Sequence, residues 1–227
     1  MKPHKLLSHV WHAEWGLSVM LGFLILAIFV AGPLVASELA GSIWFDIAFA
    51  LLLISGVATL SGKKTLSAVA LILVLAALAS RWASLVFPSR LILISRELLS
   101  MASLGLFAAL MLIQVFRQGP VTGYRIQGAV AVYLLLGLIW MLGYDLVYLT
   151  VPGAFRFAHT GDEATHHIHD LLYYSFITLT TIGYGDIVPA HPAARSLAMA
   201  EGLVGQLYPA ILIARLVSMQ IESRRKS

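Results

Sequence analysis

Six apolar runs constrain the fold of this chain more than any other feature. The runs lie at about Glu14–Val35, Ile43–Leu60, Thr65–Ser80, Ser89–Phe116, Tyr124–Leu149 and Pro192–Ile221. A hydrocarbon core about 30 Å thick needs about 20 apolar residues per helical crossing. Charged residues make up only 11% of the chain, well below the usual share of about 25% in soluble domains. We therefore predict an all-α integral membrane protein with six transmembrane helices, of which the third is short for a full crossing.

The distribution of basic residues predicts an orientation for these helices. With the amino terminus inside, the inner ends carry Lys2, Lys5, Lys63, Lys64, Arg117, Arg125, Arg215, Arg224, Arg225 and Lys226, and the outer ends carry Arg81, Arg90, Arg156 and Arg195. Basic residues concentrate on the cytoplasmic side of membrane proteins. The pattern favours a multi-pass protein of the cell membrane with both termini cytoplasmic, and it explains the net charge of +4 without a nucleic-acid partner.

The segment 178-TLTTIGYGDIVP-189 follows a short amphipathic stretch at about His169–Thr180 and precedes the last apolar run. Glycine is costly inside a helix and permits backbone conformations closed to other residues. Non-helical backbone in a membrane must be buried in protein or line a water-filled path, because its peptide groups need partners. A dehydrated cation can meet unpaired carbonyls, and the negative end of the short helix dipole would stabilise it. Glycines at alternate positions let successive carbonyls point the same way.

The sequence Thr-Thr-Ile-Gly-Tyr-Gly-Asp at 180–186 resembles the selectivity filter of potassium channels, in which backbone carbonyls replace the hydration shell of the ion. The resemblance implies a re-entrant pore helix and filter loop in a fourfold-symmetric homotetramer. It assigns potassium binding to the carbonyls of Thr181, Ile182, Gly183 and Tyr184 and to the Thr181 hydroxyl, with Gly185 turning the chain outward.

Residues around this motif are assigned to the support of the filter by the same resemblance. They are Thr178, Thr180, Asp186, Tyr173 and Tyr174. The Tyr173 hydroxyl is the implied hydrogen-bond partner of Asp186. Ile177 stands where some bacterial relatives carry a glutamate, so inactivation that depends on that carboxyl is not implied.

Three residues of the last apolar run are assigned to gating. Gly205 lies twenty residues beyond Gly185, which matches the usual hinge glycine of the family, and Pro209 removes a backbone hydrogen bond and kinks a helix. Close packing through small residues is the alternative for the glycines. A carboxyl group inside a membrane helix has a high free-energy cost. We interpret Glu201 as a structural anchor in preference to an ion ligand.

The six-crossing plan also resembles voltage-gated cation channels. The fourth apolar run reads 90-RLILISRELL-99, in which Arg90 and Arg96 share the three-residue phase, Leu93 interrupts it and Glu97 offsets part of the charge. A sensor needs several such charges, so weak or absent voltage dependence is expected.

Histidines cluster in the predicted outer loop. His166, His167 and His169 suggest acid-sensitive conductance, since histidine titrates near pH 6.5, or block by a divalent metal. A solvated loop without a regulatory role is the alternative.

These features divide the chain into an N-terminal segment at 1–13, a sensor-like four-helix domain at 14–118, a pore domain at 119–222 and a short basic tail at 223–227. The predicted function is passive, potassium-selective conduction, with no enzymatic activity and no cofactor besides the permeant potassium. The predicted partners are further copies of the chain and membrane lipid. The alternatives are a nonselective cation channel, a regulatory potassium-channel subunit, a transporter with repeated channel-like loops, or a histidine-based membrane enzyme, for which the necessary histidine clusters are missing.

Overall fold

The computed structural model describes residues 18–31, 41–58, 64–117, 121–158 and 167–226. Seven helices are described in these ranges. The first, α1, spans residues 18–25 and continues as a π-helical stretch, Leu26–Ala31. The others are α2 (Gly41–Ala58), α3 (Lys64–Val86), α4 (Arg90–Val115), α5 (Gly123–Thr150), α6 (His167–Leu179) and α7 (Pro192–Lys226).

Four of these helices are long and apolar enough to cross a membrane. The apolar spans are Thr65–Val86, Arg90–Val115, Gly123–Thr150 and Pro192–Glu222, while Ser18–Phe29 and Asp46–Val57 are shorter apolar helices within the described residues. The predicted mostly helical membrane protein is confirmed to this extent. The plan of six crossings remains a prediction.

Helix α3 differs from the prediction, which ended it near Ser80 and placed Arg81 in an outer turn. The helix continues to Val86, and Arg81 is only 3% exposed. Its guanidinium pairs with Asp46 of α2 and lies 4.6 Å from the centre of the Phe49 ring. A charge that is paired inside the protein does not end an apolar helix, so α3 is long enough to span.

A two-stranded antiparallel sheet was not predicted. Strand β1 (Phe155–Phe157) follows α5, and strand β2 (Ile187–Pro189) precedes α7, with Phe155 opposite Pro189 and Phe157 opposite Ile187. Three-residue strands far apart in sequence leave no periodic pattern to detect. The sheet ties the segment after α5 to the segment that precedes α7.

Helix α5 lies between the N-terminal helices and the C-terminal pair. It packs against α4 on one side and against α6 and α7 on the other. Gly137 permits the close contact with α6, because a Cβ there would lie 2.5 Å from the Phe176 ring. Helix α7 runs to Lys226, so the predicted separate tail at 223–227 is largely a continuation of this helix.

Candidate functional site

The backbone of residues 180–186, here called the glycine loop, alternates in handedness. Thr181 has a φ of 60°, Gly183 of 55° and Gly185 of 82°, while Ile182 and Tyr184 between them do not have positive φ. Alternation of right- and left-handed residues turns successive N–H groups to one side of the chain, and the carbonyls then face the other side. A backbone with this alternation can present successive carbonyl oxygens on one side.

Hydrogen bonds show which side of the glycine loop is fastened to the protein. The carbonyl of Ile177 in α6 accepts from the amides of Ile182 at 2.9 Å and Gly183 at 3.2 Å, and the Thr178 carbonyl accepts from Thr181 at 2.9 Å. In the described part of the chain no donor reaches the carbonyls from Thr181 to Tyr184. Residues 181–184 are exposed in the single chain, so these four carbonyls are available to a ligand.

Asp186 fastens the C-terminal end of the glycine loop. Its Oδ2 accepts from the Tyr173 hydroxyl at 2.8 Å, and its Oδ1 accepts from the Ile187 amide at 3.1 Å. The Asp186 carbonyl accepts from the Ala158 amide at 2.8 Å. The contact between Tyr173 and Asp186 is the one that the resemblance implied, and it joins α6 to the exit of the loop.

The other predicted support residues, Thr178, Thr180 and Tyr174, lie in α6 or contact it. The Thr180 hydroxyl donates to the Phe176 carbonyl at 2.6 Å. Tyr174 is in hydrogen-bond contact with Thr178 and packs edge-on against two rings, those of Tyr144 and Phe155. These contacts hold the start of the loop on the end of α6.

Beneath the glycine loop, α6 and α7 meet at Gly205. A Cβ at Gly205 would lie 1.8 Å from the carbonyl oxygen of Leu179, the last residue of α6. The Tyr133 hydroxyl donates to the same oxygen at 3.2 Å, as a helix C-terminal carbonyl requires an outside partner. Pro209 lies inside α7 and offers no N–H to the Gly205 carbonyl four residues before it. Close packing thus accounts for Gly205, and the hinge at Gly205–Pro209 stays a prediction.

Glu201 has the contacts of an anchor between helices. It is fully buried, its Oε1 lies 2.6 Å from the Ser175 hydroxyl of α6, and its Oε2 accepts from the Tyr144 hydroxyl of α5. The carboxyl therefore touches α5 and α6 from α7, behind the glycine loop. The sequence did not single out Tyr144 or Ser175, because hydroxyl groups are common in membrane helices.

The arginines of α4 form their ion pairs and hydrogen bonds with residues of α4 and α5. Arg96 pairs with the adjacent Glu97, which is 1% exposed, and donates to Asp145 Oδ2 of α5 at 3.3 Å. Arg90 donates to the Thr150 carbonyl at 3.1 Å. Sequence interpretation overlooked Asp145, although a carboxylate inside an apolar helix is a recognisable signal of a functional or structural site.

Replacing Asp145 with asparagine is expected to destabilise the protein. Removing one partner of a buried ion pair costs about 3–5 kcal/mol, and retention of Glu97 beside Arg96 places the loss at about 3 kcal/mol. Thermal unfolding in detergent would measure it. Arg90→Gln is the matched control, because an exposed contact contributes about 1 kcal/mol or less. Equal unfolding temperatures for Asp145→Asn and wild type would show that the pair does not hold α4 on α5.

The predicted histidine site is largely outside the described structure. His166 lies outside the described residues, and His167 is described only as the first residue of α6. The His169 Nδ1 is 3.9 Å from Asp170 Oδ1. No group of three ligating side chains suited to a metal occurs among the described residues, and the pH and metal effects remain predictions.

Comparison with known proteins points to one class. Residues 136–222 match the model of a family described as "Ion channel". Two pore potassium channel c of Oryza sativa subsp. japonica is 35% identical over 95 residues, which cover 41% of this chain and 20% of that protein. Two-pore potassium channel 1 of Arabidopsis thaliana is 34% identical over 82 residues, covering 34% of this chain and 22% of that protein.

One bacterial relative is shorter than these plant channels. Protein LctB of Bacillus caldotenax is 36% identical over 86 residues, which cover 35% of this chain and 63% of that protein. The chain thus spans about a fifth of the plant channels and under two thirds of LctB. No solved structure matches the chain. The matches support a potassium-channel family for the part of the chain from the middle of α5 through α7.

Proposed function

We propose that the protein is a potassium-selective channel in which four copies arrange their glycine loops around one axis. The observation that carries the proposal is the row of unpaired carbonyls from Thr181 to Tyr184 on a backbone of alternating handedness. Such oxygens replace the water shell of a dehydrated potassium ion. Potassium would pass passively, bound by these carbonyls and by the Thr181 hydroxyl, while Asp186 and Tyr173 hold the outer end of the filter.

The surface of the single chain supports assembly into several copies. Ile182 and Tyr184 of the glycine loop are 56% and 70% exposed, and apolar side chains of α7 such as Leu203 and Ile211 are also exposed. Non-helical backbone within a membrane does not face lipid but is buried in protein or lines a water-filled path, so the exposed loop needs protein around it to keep lipid away. Neighbouring copies around a cyclic axis provide that cover.

The charge contacts of α4 support weak or absent voltage gating. One charge moved across the field contributes about 2.3 kcal/mol per 100 mV, so steep gating needs several mobile charges. Arg96 is paired with Glu97 and Asp145, and Arg90 is bonded to the end of α5. Two charges held in this way would give a shallow response.

Reconstituted flux tests the proposal. Liposomes that contain the purified protein are expected to take up potassium and exclude sodium, because sodium is too small for the oxygen row to replace its hydration shell equally well. Empty liposomes are the control, and native mass measurement should show four chains. Equal sodium and potassium flux would favour the nonselective channel, and an inactive monomer would contradict the proposal.

A further inference from the structure

The carboxyl of Glu201 joins three helices behind the glycine loop. Its Oε2 accepts a hydrogen bond from the Tyr144 hydroxyl of α5, and its Oε1 lies 2.6 Å from Ser175 Oγ of α6. Ser175 Oγ also lies 2.7 Å from the Gly137 carbonyl oxygen of α5. These contacts form one continuous chain of oxygens from Tyr144 through Glu201 and Ser175 to Gly137.

The number of protons in this chain of hydrogen bonds depends on whether the Glu201 carboxyl is protonated or ionised. A serine hydroxyl has one proton, and an ionised carboxylate has none to donate. With Glu201 ionised, Ser175 faces two acceptors, the Gly137 carbonyl and Oε1, and one of the two short contacts lacks a proton. With a proton on Oε1, each contact has one donor: Tyr144 to Oε2, Oε1 to Ser175, and Ser175 to the Gly137 carbonyl.

The absence of a nearby cation among the described residues also favours the protonated state of Glu201. The side chain is fully buried, and no ion pair reaches it from the described residues. The other titratable groups that face it are tyrosines, Tyr144 and Tyr133 on α5 and Tyr174 on α6. A buried carboxylate without a cation is strongly disfavoured, and such a group takes up a proton instead.

The position of the chain links it to the proposed filter. Glu201 and Gly205 are four residues apart and share one face of α7. Glu201 contacts α6 at Ser175, and Gly205 contacts the Leu179 carbonyl at the end of the same helix. Helix α6 is therefore fixed against α7 at two levels, directly below the glycine loop.

We propose that Glu201 is a neutral carboxylic acid whose proton completes this hydrogen-bond chain, and that the chain positions α6 and the filter that follows it. The positioning role rests on the proposed channel function, whereas the protonation state does not. Glu201 is a positioning residue and does not touch the permeant ion.

Infrared difference spectroscopy at neutral pH tests the protonation state on the purified full chain. The spectrum of wild type minus Glu201→Gln should show the carbonyl stretch of a protonated carboxyl. The matched control is Glu222→Gln on the same helix, an exposed residue, whose difference spectrum should show ionised carboxylate bands. Carboxylate bands in the Glu201 difference spectrum would overturn the proposal, whatever the transport activity.

Sodium and potassium permeation tests the positioning role. Glutamine keeps a donor for Ser175 and an acceptor for Tyr144, so Glu201→Gln should retain the selectivity of the wild type. Glu201→Ala breaks the chain and should lower the potassium-to-sodium permeability ratio about tenfold, the effect of losing one to two hydrogen bonds. Ser175→Ala, which is a smaller change, should also lower the potassium-to-sodium permeability ratio. Equal selectivity of the alanine and glutamine variants of Glu201 would overturn the positioning role.

Discussion

Gly205→Ala is expected to abolish potassium flux and to lower the stability of the assembled protein. The new Cβ would lie 1.8 Å from the Leu179 carbonyl oxygen, 2.7 Å from its carbonyl carbon and 3.0 Å from its Cα. All three are backbone atoms, which cannot rotate away as a side chain can. Overpacking typically costs about 1–3 kcal/mol, occasionally more, and this contact belongs at the upper end because α6 must move away from α7 as a whole.

Gly202→Ala is the matched control for this prediction. It lies one turn earlier on α7, and a Cβ there meets nothing within 4 Å. Alanine is favoured over glycine in a helix by about 1 kcal/mol, so stability should be equal or slightly higher and flux unchanged. Thermal unfolding, native mass and liposome flux would be measured on both variants. A Gly205→Ala protein that assembles normally but has altered open probability would support the hinge and contradict the packing contact.

Gly183→Ala is expected to abolish selective conduction while leaving most of the fold intact. Gly183 has a φ of 55° and its Cβ position is open in the single chain, so the effect arises from backbone conformation. A left-handed non-glycine residue costs roughly 1–2 kcal/mol, and relief of that strain would turn the carbonyl of residue 183 out of the row. In the proposed tetramer, the same defect would occur in all four copies.

The control for Gly183→Ala is Gly105→Ala in α4, where φ is not positive and nothing lies within 4 Å. Potassium and sodium flux should be measured together, because a distorted filter loses the preference for potassium as well as total flux. Retained selectivity in Gly183→Ala would show that the carbonyl row does not require the left-handed backbone at this position.

Thr181 adopts a backbone conformation that is strained for its residue type. It is the one non-glycine residue with positive φ in the described part of the chain, and a β-branched residue rarely adopts this conformation. Strain of this kind persists when surrounding contacts enforce it. Glycine would adopt the same backbone without cost, so the presence of threonine fits a role for its hydroxyl in binding the ion.

The apolar runs of the sequence predicted the helices well where apolar residues continued without interruption. The predicted boundaries of α4, near Ser89 and Phe116, agree with Arg90–Val115, where the Ser89 side chain accepts from the Ile92 amide and so caps the helix. Helix α3 was misjudged because Arg81 looked like the end of a run, and only the three-dimensional contact with Asp46 shows why the helix continues.

The sequence predicted the backbone of the glycine loop, but it did not predict the contacts between residues that lie far apart in the chain. The alternate glycines indicated a backbone with successive carbonyls on one side, and the described φ values have that alternation. The close approach of Gly205 to Leu179 and the pairing of Arg96 with Asp145 join residues 26 and 49 positions apart in the sequence. Such pairings depend on how helices pack, and a single sequence contains no periodic signal for them.

The small sheet joins the C-terminal end of α5 and the C-terminal end of the glycine loop into a single mechanical unit. Backbone hydrogen bonds between Phe155–Phe157 and Ile187–Pro189 form the connection, so a displacement at the end of α5 is transmitted to the loop through peptide groups. No single side-chain truncation severs a linkage of this type; cutting it would take prolines or a break in the chain.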